Sequence, residues 1–204
     1  MPGFLFSLAA KLSECFAKTM KNSPTLLLID VQKALAGDDP YYGGARNNPE
    51  AEENMARLLA HWRAQDWPRI FVRHASADPA SPLHPSKPGY AWQDAVAPRT
   101  DEREWVKSVN SCFIGTTVEA YLREQGVSAL VIVGLTTDHC VSTTTRMAGN
   151  LGFEVTLVGD ATASYDRIGP DGASLTAEEM HRVNLASLHG EFCTVRTAAA
   201  VLED

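Results

Sequence analysis

Residues 25–31 read TLLLIDV, apolar without alternation, and comparable runs recur at 69–73 (RIFVR), 129–134 (ALVIVG) and 154–158 (EVTLV). Continuous apolar runs of this length belong to strands covered on both faces, the environment of a parallel sheet. Between them lie stretches with helical spacing, such as Met55, Leu58, Leu59 and Trp62. Strand–helix alternation builds parallel βαβ units, so the pattern predicts an α/β fold: a three-layer α/β/α sandwich on a six-stranded, mostly parallel, Rossmann-like sheet. The remaining strands are expected at 105–107 and 191–195. Helix starts are expected at Asn48-Pro49-Glu50 and at the capping boxes Thr116/Glu119 and Thr176/Glu179, with Gly126, Gly152 and Gly190 as stops. A polar loop is expected over 160–173. The proline-rich stretch 74–104 reads as a long loop of the kind that forms a lid or pocket wall.

With 204 residues and no internal repeat, one domain over 24–204 accounts for the chain. Residues 1–23 form an extension that reads as an extra helix or a presequence; residues 1–22 hold three lysines, one acid and no arginine. The net charge of −7 excludes a broad nucleic-acid surface, and no segment is long and apolar enough to span a membrane. The four cysteines, at 15, 112, 140 and 193, lack zinc-type spacing. Free thiols and a cytoplasmic setting are the expectation, with organellar targeting by the N-terminal segment as the alternative.

The chemistry concentrates at the ends of three strands. After 129–134 the chain turns through Leu135-Thr136-Thr137 and places Cys140 at a helix start, where the dipole and unpaired amides favour a thiolate. Asp30 ends the first run and Lys107 the third. In a parallel sheet these ends share one crevice. There Asp30 suits a general base, Cys140 a nucleophile and Lys107 an electrostatic partner, with the amides of Thr136 and Cys140 as oxyanion donors. Each residue also has a plain structural reading: Cys140 as a small core residue, Asp30 as a cap, Lys107 as an edge-strand charge. Trp92, Tyr90, Trp105 and His139 are candidates for a pocket wall.

Four segments carry a family resemblance: LLLIDVQ around Asp30, RNNPEAEENMARLL, EWVKSVNSCFIGT around Lys107, and VIVGLTTDHCVSTTTRMAGNLGFEVTLVGDA around Cys140. Over residues 24–200 the chain resembles the isochorismatase-like cysteine hydrolases, a group that includes isochorismatases, nicotinamidases and N-carbamoylsarcosine amidases. The resemblance implies a catalytic triad of Asp30, Lys107 and Cys140, a cis peptide at Leu135–Thr136 that aims amides at the oxyanion, and a homo-oligomer. Metal-dependent nicotinamidases carry Asp-x-His after the second strand, where this chain has Arg73-His74-Ala75-Ser76. His74 and His84 are therefore expected to bind no metal, and no cofactor is expected. Retention of Cys140 points to acyl chemistry on a C–N bond of a small molecule. The alternatives are vinyl-ether hydrolysis, as in true isochorismatases, and a non-catalytic ligand-binding role.

Overall fold

The structure, a computed structural model, describes residues 23–203, so residues 1–22 of the expected extension lie outside the described residues. The strands are β1 (Thr25–Ile29), β2 (Arg69–His74), β3 (Arg103–Lys107), β4 (Ala129–Leu135), β5 (Glu154–Ala163), the pair β6 (Arg167–Ile168) and β7 (Ser174–Leu175), and β8 (Thr194–Arg196). Six of them form one sheet in the order β3-β2-β1-β4-β5-β8, with every pair parallel. β6 and β7 make a separate antiparallel hairpin.

The sheet divides the core in two because side chains alternate along each strand. Leu26 and Leu28 of β1 face helix α1 (Ala51–Ala64), where Met55, Leu58, Leu59 and Trp62 are buried. Leu27 and Ile29 face the opposite layer of α2 (Val118–Glu124), α3 (Ser142–Asn150) and α4 (Ala177–Leu188). The short α5 (Ala198–Leu202) joins α1 on the first side. No helix among the described residues is long and apolar enough to cross a membrane.

The strand order reverses between β1 and β4, and crevices at such a switch point are where ligands bind in open α/β sheets. Here the two strands come unusually close. A Cβ on Gly134, whose φ is +132°, would stand 2.0 Å from the Ile29 carbonyl oxygen. Glycine thus lets β4 pass β1 immediately before the turn that carries Cys140.

Several local expectations are corrected. Asn48 does not cap α1: its backbone is left-handed (φ 52°), its amide donates to the Thr162 carbonyl at 2.7 Å, and α1 begins three residues later. Thr116 and Glu119 make no capping box either: the Thr116 hydroxyl donates to the Cys112 carbonyl and accepts from the Val118 amide, and the helix starts after Thr117. Thr176 and Glu179 do form a reciprocal capping box. β5 runs on to Ala163 through part of the expected loop, using a register shift opposite Ile132 and Gly134. The final strand lies at Thr194–Arg196, not at 191–195.

The 74–104 segment is a packed strap. Trp92 and Val96 are buried in the α1-side core, and Trp92 meets Phe71 edge-on at 5.8 Å. At the strap's end Glu102 accepts from Arg63 (2.9 and 2.6 Å) and Arg69 (2.5 Å), pinning the entry of β3 to α1 and β2. Burial pushes the Glu102 carboxyl up, but the two guanidinium groups prevail and hold it down at about 2.

Two outcomes follow from this packing. Gly134→Ala should lower the unfolding free energy by roughly 2–4 kcal/mol in urea titrations, from backbone strain together with steric clash. Glu102→Gln should destabilise the fold at neutral pH, and its gap to the wild type should close as pH falls from 4.5 towards 2, where Glu102 itself takes up a proton. A constant gap across that range would assign the clamp's contribution to packing alone.

Candidate active site

The structure brings Asp30, Lys107 and Cys140 to one point beyond the carboxyl ends of the sheet. Asp30 follows β1 with a left-handed backbone (φ 53°), a conformation that aspartate tolerates better than most residues. Lys107 ends β3, and β3 is separated from β1 by β2. Two parallel-strand spacings are roughly 9.6 Å, a gap that calls for a long side chain. The Lys107 ammonium covers it and donates to Asp30 Oδ2 at 2.7 Å and to Cys140 Sγ at 3.2 Å. The ion pair is almost wholly buried, with side-chain exposures of 0% and 1%. The other carboxylate oxygen, Asp30 Oδ1, is buried with no hydrogen-bond partner, which leaves open lone pairs beside the thiol.

Cys140 sits in a π-helical turn, Thr137–Val141, that precedes α3. The Leu135–Thr136 peptide before it is cis. The turn is held from two sides. Asp138 pairs with Arg167 at 2.8 Å and accepts from Ser164 at 3.1 Å, while the Thr137 hydroxyl meets His181 Nδ1 at 2.9 Å. Burial would push the Asp138 carboxyl up, yet His139 and Arg167 bring it below its usual range. These braces escaped sequence reasoning, because no spacing links residue 138 to 167 or 137 to 181.

Burial and the charges around Cys140 act against the thiolate that the helix start favours. Burial, and then the Asp30 charge, push the Cys140 thiol up by more than Lys107 pulls it down. The physical reason is charge balance: Asp30 and Lys107 already neutralise one another, so a thiolate would add an uncompensated buried charge. Burial also acts against the Lys107 ammonium, but Asp30 and Cys140 raise it overall, so the lysine stays charged. Cys112 is buried with its thiol pushed up to about 12, and it takes no part in the site.

His74 completes the cluster. One ligand-type atom from each of Asp30, His74 and Cys140 lies within 4.8 Å of the others, the spacing of a metal site. Lys107 Nζ contacts all three residues, His74 Nδ1 at 3.2 Å, so an ammonium already fills the cation position. His84 lies apart and bonds Ser86 at 2.8 Å. Gln32, buried behind the site, accepts from the His74 amide at 2.9 Å and donates to the carbonyls of His74 and Tyr90 at 3.0 Å. It fastens the ends of β1 and β2 to the strap, and its place two residues after Asp30 was the available signal.

The proposed pocket wall is corrected. Trp92 belongs to the core. Tyr90 lies under the Arg73 guanidinium, 4.3 Å from its ring centre. Trp105 donates to Thr117 and packs on Tyr121, lining a separate cavity of about 490 Å³ between β3 and α2. His139 faces a cleft next to the turn, of about 720 Å³, shared with Tyr41, Tyr42, Arg167 and Ile168. Its ring is exposed and directed at Asp138 (3.6 Å), so no Cys-His dyad forms.

This fold and this site define a parallel α/β sheet whose switch-point crevice holds a buried Asp-Lys pair beside a cysteine. The Isochorismatase domain family model matches residues 24–200, and the chain belongs to the isochorismatase family of hydrolases. It is 43% identical over 185 residues to the isochorismatase family protein YrdC of Bacillus subtilis (91% of this chain, 97% of that protein). It is 32% identical over 111 residues to ureidoacrylate amidohydrolase RutB of Methylobacterium radiotolerans (54% of this chain, 39% of that protein). An isochorismatase-family crystal structure from Chromobacterium violaceum superposes with a TM-score of 0.85 at 44% identity, covering 89% of this chain and 92% of the other.

Charge balance at the cysteine makes a specific demand. Asp30→Asn should speed alkylation of Cys140 at pH 8 by at least about threefold, because removing the carboxylate charge lowers the thiol's pKa. The rate is read on the Cys140 peptide by mass spectrometry after iodoacetamide treatment. An unchanged or slower rate would show that Asp30 does not hold the thiol protonated.

Proposed function

We propose that the protein is a cysteine-dependent hydrolase that cleaves a C–N bond of a small molecule, an amide, lactam or carbamoyl group, through a thioester on Cys140. The observation that carries this reading is the single buried ammonium of Lys107 touching both Asp30 and Cys140. Asp30 takes the Cys140 proton as sulfur attacks the carbonyl carbon. Asp30 becomes neutral as the thiolate forms, so the net charge of the three groups is the same before and after. Lys107 stays protonated and holds both partners by charge.

Attack places negative charge on the carbonyl oxygen, which the amides of Thr136 and Cys140 receive at the N-terminal turn of the helix. Collapse of the tetrahedral adduct breaks the C–N bond, and the proton on Asp30 goes to the departing nitrogen. Asp30, ionised again, then takes a proton from water as it attacks the thioester. The acid leaves and the Cys140 thiol is restored. An acyl-transfer reading also agrees with the amidohydrolase named among the relatives.

The test is ammonia or amine release from a panel of simple amides, lactams and carbamoyl compounds. Cys140→Ala should lose at least about 10³-fold in kcat while melting within a few degrees of the wild type. Undiminished amine release in that variant would sink the thioester route and point to direct attack of water on the same C–N bond.

A further inference from the structure

We propose that His74 is a positioning residue for the Lys107 ammonium: its neutral ring accepts the third N–H of the lysine and so aims the other two at Asp30 and Cys140. The inference rests on the thioester reading above and adds a fourth residue to it.

An ammonium has three donors and a tetrahedral arrangement. Lys107 Nζ has three acceptors within reach: Asp30 Oδ2 at 2.7 Å, Cys140 Sγ at 3.2 Å and His74 Nδ1 at 3.2 Å. With all three used, the head group cannot turn without breaking a bond. With only two, a flexible four-carbon stem would leave it free to rotate about the axis they define.

The sheet places the imidazole where this task requires it. His74 and Lys107 are register partners in the parallel β2–β3 pair, so their side chains leave the sheet on the same face. β2 lies between β3 and β1, and the lysine has to pass the end of β2 to reach Asp30. Gln32 grips the His74 backbone through both its amide and its carbonyl, which fixes the base from which the ring projects. An ammonium can only donate, so a neutral ring beside it accepts through Nδ1 and carries its own N–H on Nε2.

The arrangement works only while the ring is neutral. A proton on Nδ1 would remove the acceptor and set a second positive charge against Lys107. The groups facing the ring are the charged Lys107 from β3 and Asp30 after β1, and the neutral, titratable Cys140 thiol from the π-turn. Burial, and then the Lys107 charge, hold the imidazole below its ordinary value of 6.5 and so neutral at physiological pH. As pH falls the ring gains its proton, and the lysine loses its third anchor.

The experiment compares His74→Phe, His74→Ala and His74→Asn in the full chain. Asparagine presents an oxygen near the place of Nδ1 and cannot titrate. The first reading needs no substrate: the rate of iodoacetamide alkylation at the Cys140 peptide at pH 8. Phe and Ala should slow it about fivefold, because an unanchored ammonium stabilises the thiolate less, and Asn should recover most of the loss. On an amide that the wild type hydrolyses, Phe and Ala should lower kcat about tenfold with KM within twofold. An acid limb of kcat/KM set by the His74 ring should lie below pH 6.5 in the wild type and move to lower pH in His74→Asn. Alkylation rates equal to wild type in folded Phe and Ala variants, with only the melting temperature reduced, would overturn the proposal and leave His74 a packing residue. If no amide is turned over yet the alkylation order holds, the positioning role stands and the hydrolase reading is the one that falls.

Discussion

A buried ion pair governs the rest of this site. Taking Asp30 and Lys107 out of water costs several kcal/mol for each ion, and their attraction offsets that cost only if both are held in close contact. The contact is short at 2.7 Å, and both side chains are essentially inaccessible. Because the pair is neutral as a unit, any third charge placed beside it stands alone. The cysteine therefore rests as a thiol. A nucleophile can form there only if its proton moves to a group inside the same cluster, and the carboxylate with an unpartnered oxygen is the group at hand.

The sheet exists, from the site's point of view, to hold four strand ends in order. β3, β2, β1 and β4 present Lys107, His74, Asp30 and the cysteine turn in sequence across the crevice. The close pass at Gly134 brings the last of these against the first strand. Behind the reacting groups lies a second set of contacts with no chemistry of its own. Gln32 ties two strand ends to the strap, and Arg167 and His181 hold the π-turn through Asp138 and Thr137. These contacts restrict the motion of the groups that would react, which is where positional accuracy in a site originates.

Much of this was legible in the amino-acid order, for identifiable reasons. Parallel strands buried on both faces must be apolar throughout, so TLLLI and ALVIVG announce themselves. A capping box is a local device, and Thr176/Glu179 reads correctly because only local bonds compete for it. Asn48 and Thr116 mislead because their side chains are engaged elsewhere, Asn48 by the Thr162 carbonyl and Thr116 by the Cys112 carbonyl and the Val118 amide. The three site residues stand out through their places at strand ends and through family likeness. The role of His74 was hidden, since it depends on register with Lys107, and register is a property of pairing. Trp92 read as pocket wall because an aromatic in a loop looks available until the loop is seen folded into the core.

The order of the strands has one more consequence. β3 is the outer strand on its side of the sheet, bonded to β2 alone, and Val106 within it is 47% exposed. The residue that organises every charge in the crevice thus hangs from an outer strand, held by backbone bonds on one side alone. Segments of this kind open by local fluctuation well below the free energy of global unfolding. Opening of that edge would part the Lys107 ammonium from Asp30 and Cys140 while the rest of the fold stays native.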